Sequence, residues 1–143
     1  MDEQTRKLLE ECSIGCEMGA DSMKQIRPYI RDENLKELTD RYIERHEELQ
    51  SEAAAMLSDG GFEPREPGTA ASAFSWFTTE LKLTFSDDNH QIAKLLIDGC
   101  NMGIKTLSEH LNTLNQADRK ASALTQKILK TEETLMKEAR AYL

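Results

Sequence analysis

Gly15-Cys16-Glu17-Met18-Gly19 returns as Gly99-Cys100-Asn101-Met102-Gly103, with four of the five residues identical. Ser22-Met23 then meets Thr106-Leu107 at the same spacing. Each copy sits in a long stretch whose apolar or small residues recur at steps of three and four. Around the first, Leu9, Cys12, Cys16, Gly19, Met23 and Ile26 define one helical face. Around the second, Ile92, Leu96, Gly99, Gly103, Thr106 and His110 do the same. A near-repeat at equivalent places predicts two similar helical hairpins related by a pseudo-twofold axis.

Outward from the first copy, Pro28 breaks the pattern, because it lacks an amide donor and clashes with the preceding turn. Asp32 is placed to cap a second helix, with a face of Leu35, Leu38, Tyr42, Leu49, Ala53 and Met56. Gly60-Gly61 stops it. Residues 59–68 read as a linker. A shorter helix is predicted over about 70–85, with Ala70, Ala73, Phe74, Phe77, Leu81 and Phe85 in line. Ser86-Asp87-Asp88 ends it and caps the helix that carries the second copy. After a weak break between Asn112 and Asp118, the last helix aligns Leu124, Ile128, Leu135, Ala139 and Tyr142. The predicted helices are thus about 3–26, 32–58, 70–85, 88–112 and 117–142. Four of them are about 25 residues, or about 37 Å, long. Matched lengths and short turns within each half predict an all-α, antiparallel four-helix bundle forming a single domain over 1–143. The extra short helix lies in the crossover between the hairpins.

Composition narrows the function classes. The 143 residues carry a net charge of −8, which repels phosphate backbones and anionic lipid, so neither nucleic acid nor membrane is expected as a partner. No stretch reaches the roughly 18 apolar residues of a membrane span. Met1 to Glu10 is charged and lacks the apolar region of a signal peptide. The expected location is the cytoplasm, with Cys12, Cys16 and Cys100 as small buried thiols.

Leu8-Leu9-Glu10-Glu11-Cys12-Ser13-Ile14-Gly15, Gly60-Gly61-Phe62-Glu63-Pro64, Thr69 through Leu83 around Trp76, and Leu95 through Gly103 carry a family likeness. Through them the chain resembles the ferritin-like four-helix-bundle superfamily, and within it a bacterial branch that is a domain of unknown function. The resemblance implies the fold and no particular activity. Ferritin-like enzymes hold two irons with single glutamates and paired Glu-x-x-His motifs. This sequence has no Glu-x-x-His, and Asn101 stands opposite Glu17 in the repeat. Glu17 also lies about 140° from the centre of its apolar face and is expected to face solvent. No cofactor is expected.

Other candidates are weaker. His110 falls on the centre line of its helix, while His46 and Glu132 lie close to theirs at comparable places in the second helix of each hairpin. They define a low-ranked metal or small-molecule site, set against a hydrogen-bonded polar layer that fixes register. Asp87-x-x-His90 is better read as a helix cap. His90 with Lys94 and Leu95 is a poor match to a phosphotransfer histidine. Gly15, Gly19, Gly99 and Gly103 each weaken a helix by about 1 kcal/mol relative to Ala, so a close contact between the first and third long helices is expected there. Room for a ligand is the alternative. Trp76 and Leu83 stack on the side of their short helix away from its main stripe, which predicts a protein interface, a homodimer first of all. The function expected from all this is a non-enzymatic bundle that assembles with itself or a protein partner. The alternative is an altered metal-binding protein of the ferritin-like kind.

Overall fold

The computed structural model describes residues 1–63 and 89–143. The expected helix over 70–85, with Trp76 and Leu83, lies outside the described residues. Four long helices are present: α1 (Glu3–Ile26), α2 (Glu33–Asp59), α3 (Asn89–Thr113) and α4 (Arg119–Ala139). Short 3-10 turns, Arg27–Tyr29 and Arg140–Tyr142, follow α1 and α4.

The helix starts are set by aspartates. Asp2, Asp32 and Asp118 each accept a hydrogen bond from a backbone N–H of the first turn, at 2.8, 2.9 and 2.9 Å. Each satisfies a donor that the helix itself cannot use. Pro28 sits in the 3-10 turn after α1, where its missing N–H does no harm. Gly60 ends α2, and Gly61 adopts φ 86°, a left-handed conformation that favours glycine.

α1 pairs with α2 and α3 with α4, giving two hairpins packed as one bundle. The core divides into two apolar clusters. One joins Met23 and Ile26 of α1, Leu35 of α2, Leu96 of α3 and Leu135 and Ala139 of α4. The other joins Leu8 and Leu9, Leu49 and Leu57, Leu107, and Leu124. The first holds the end of α1, the start of α2, the start of α3 and the end of α4. The second holds the opposite ends. So α2 and α3 point the same way, and the chain leaves α2 at one end of the bundle and enters α3 at the other.

The buried line of α3 differs from the expected one. Ile92, Ala93, Leu96, Cys100 and Leu107 are buried, whereas Thr106 is exposed and His110 only half-buried. Seven residues is two helical turns, so Cys100 and Leu107 stack, while Gly99, Gly103 and Thr106 lie one step round the helix. Glu17 is a second correction: it is buried, not turned to solvent. Ser13, Glu17 and Ala20 form a second buried line on α1, so that helix is covered on more than the face its apolar spacing reports. No helix among the described residues is long and apolar enough to cross a membrane.

Candidate functional site

Between the two apolar clusters lies a polar layer with one residue from each helix: Gly19, His46, Gly103 and Glu132. His46 is 1% exposed and Glu132 is buried as well. The backbone places them there because Tyr42 and Leu49 on α2 anchor opposite clusters, as do Ile128 and Leu135 on α4. Whatever stands midway must reach the bundle axis.

His46 Nδ1 lies 2.6 Å from the Tyr42 carbonyl oxygen, one turn back. A carbonyl can only accept, so Nδ1 carries a proton and donates. Nε2 meets Glu132 Oε1. The contact therefore holds one shared proton, either as imidazolium and carboxylate or as neutral imidazole and carboxylic acid. Burial pulls the His46 pKa down, but the hydrogen bond and charge of Glu132, with the Tyr42 carbonyl, outweigh it and raise the value. The shift runs in the direction that an imidazolium facing a carboxylate requires.

Gly19 makes the room that the His46 ring occupies, whereas a side-chain carbon at Gly103 would be in ordinary contact with Glu132. A Cβ on Gly19 would stand 2.8 Å from His46 Cδ2, inside contact distance. A Cβ on Gly103 would stand 3.7 Å from the Glu132 carboxyl. Each hairpin packs a glycine of its first helix against the polar side chain of its second. The four glycines lie on the facing sides of α1 and α3, but a cavity of about 110 Å³ separates them. Gly15 would meet only Leu107, at 3.8 Å, and Gly99 would meet nothing within 4 Å. Side chains and space, not opposed backbones, surround them.

Cys100, which the apolar spacing does not place in this layer, is buried near the Glu132 carboxyl. Burial first, then the nearby Glu132 charge, push the thiol well above its ordinary range. Burial likewise pushes Cys12 up to about 11 despite its 3.2 Å contact with the Thr125 hydroxyl, and Cys16 well above its usual value. All three thiols are free and buried, so none is poised as a nucleophile. His110 does not join His46 and Glu132. Its Nε2 pairs with Glu11 Oε2 at 3.3 Å, nearer the surface. Among the described residues no group of three or more His, Cys, Asp or Glu side chains is arranged to hold a metal ion.

Ser22 belongs to the same region. It reads as an ordinary polar position, and only the geometry shows it buried beside the cavity. No protein-family model matches the sequence, and neither a curated protein nor a solved structure matches it.

Proposed function

We propose that this chain is a cytoplasmic, non-enzymatic bundle in the ferritin-like mould, which works by binding, with a second copy of itself as its first partner. The observation that carries the non-enzymatic reading is the closed bonding of His46. Both ring nitrogens are engaged, so the best-placed base in the core has no lone pair left for a substrate or a metal. The ferritin-like reading is supported by the parallel course of α2 and α3, which a connection running the length of the bundle would produce. It is supported too by a polar pair at mid-bundle, where that superfamily builds its metal sites.

A second reading, an altered metal site, has one observation in its favour: His46 and Glu132, a nitrogen and an oxygen donor, do meet at mid-bundle. Elemental analysis separates the two. After exposure to iron, manganese and zinc, the purified protein is expected to carry well under one metal per chain. A stoichiometric metal, lost on His46→Ala or Glu132→Ala, would establish the metal-binding reading instead.

Self-association rests on the sequence stripe of Trp76 and Leu83, since Trp is the residue type most enriched at interface hot spots. Sedimentation is expected to show a dimer for the parent and a folded monomer for Trp76→Asp. A parent that stays monomeric at high concentration rules out the homodimer. An unfolded variant would mean that Trp76 is buried within its own chain.

A further inference from the structure

The cavity between α1 and α3 has two features that packing alone leaves unexplained. The first is Gly99. Glycine is among the least favourable residues inside a helix. Gly19 offsets that by making room for His46, but at Gly99 an added Cβ would meet nothing within 4 Å. The space beside it is retained without a side chain to fill it. The second is Ser22. It is 8% exposed and lines the cavity, yet its hydroxyl has no hydrogen-bond partner among the described residues. A buried serine on a helix has an easy alternative in the carbonyl one turn back. Thr39, Thr125 and Thr131 all take it, at 2.8, 2.9 and 2.9 Å. Ser22 does not, and a buried polar group left so calls for a partner.

The rest of the wall defines what fits. Met18, Met23, Leu96 and Leu107 are apolar, and Met102 stands 36% exposed at the mouth. Methionine adapts its shape to what it touches. His46 and Glu132 both lie in the wall, where they pair with each other, and Glu11 lines the cavity too, in a chain of net charge −8. That arrangement disfavours an anion. In volume, about 110 Å³ compares with an apolar cavity of about 150 Å³ that takes up benzene.

We propose that this cavity is a binding site for a small, uncharged, mostly apolar molecule about the size of phenol, whose one hydroxyl-type group pairs with Ser22. The ring lies among the methionines and leucines, and Gly99 supplies the room. The proposal goes beyond self-association and does not depend on it, because the walls come from a single chain.

Methyl resonances of labelled methionine test it on the full chain, since three of the six methionines line the cavity. Phenol, benzene and benzoate are the probes. Phenol is expected to shift Met18, Met23 and Met102 saturably and to bind about fivefold more tightly than benzene, the margin of one neutral hydrogen bond. Ser22→Ala is expected to abolish that margin while benzene binds as before. Gly99→Leu is expected to exclude both. The unliganded Ser22→Ala protein should melt higher than the parent, since it loses an unpaired hydroxyl. A purely structural serine would give no change in the phenol-to-benzene ratio. The proposal is overturned if no probe moves the three methyls, if benzoate binds as well as phenol, or if parent protein binds phenol and benzene equally. Shifts that follow protein concentration and ignore the probes would assign the cavity to a second copy and overturn it too.

Discussion

Glu132→Leu is expected to destabilise the bundle by about 3–5 kcal/mol, the usual loss when one member of a buried charged pair is removed. The loss is large because His46 cannot turn to water. Its Nδ1 stays tied to the Tyr42 carbonyl, and its Nε2 is left without a partner at the bundle axis. His46→Leu with Glu132→Leu should recover most of that loss, because two apolar side chains need no hydrogen bonds. Urea unfolding of the two single variants and the double variant measures the coupling. A Glu132→Leu protein as stable as the parent would show that the pair is not the buried contact described. Acidity provides a second measure. The folded-state pKa of His46 is raised, so the pair's contribution is complete below the unfolded value of about 6.5 and is lost as pH rises through the folded value. The stability gap between the parent and His46→Gln should therefore narrow on going alkaline from about pH 6.5. A gap that widens with pH would contradict the ion pair.

Gly19→Leu is the other substitution with a large expected effect, a loss of about 3 kcal/mol through overpacking. Even a methyl group at this position reaches 2.8 Å from the His46 ring. A free side chain would swing aside, but this ring is held at both nitrogens. Either the Glu132 contact breaks or α1 shifts away from α2. In a His46→Ala background the same leucine has vacated space to enter, so the two substitutions together should cost less than their sum. Strict additivity, or a Gly19→Leu protein that melts like the parent, would show that the glycine is not there for the imidazole.

Much of the bundle is legible in the sequence, for physical reasons that also mark where it stops. Leu9, Cys12, Cys16, Met23 and Ile26 are all buried, because a helix with one covered stripe records it at steps of three and four. Asp32 caps as expected, since a carboxylate ahead of a periodic run has few other uses. His46 and Glu132 do meet, and their matched places in the two hairpins announced it. His110 falls in line with them only if Gly99, Gly103 and Thr106 belong to the core. They are small enough to read as apolar but line a cavity instead, and the true line passes through Cys100 and Leu107. Glu17 misled for the opposite reason. Periodicity sees only apolar stripes, and a buried charged residue leaves no such trace. Nothing in the pattern marks Ser22, because the absence of a hydrogen bond is a property of geometry alone.

The mid-bundle layer also settles which half recognises which. The two hairpins share a plan, a glycine beside a polar side chain, but they have diverged to opposite chemistry at the decisive position. Two copies of the first hairpin, docked on the same twofold plan, would set imidazole against imidazole. Two copies of the second would press carboxylate against carboxylate with no water to screen them. Only the unlike halves set a group that can carry positive charge against one that can carry negative charge. The near-repeat is thereby a lock and key within one chain, with the like pairings disfavoured by a single position in each half.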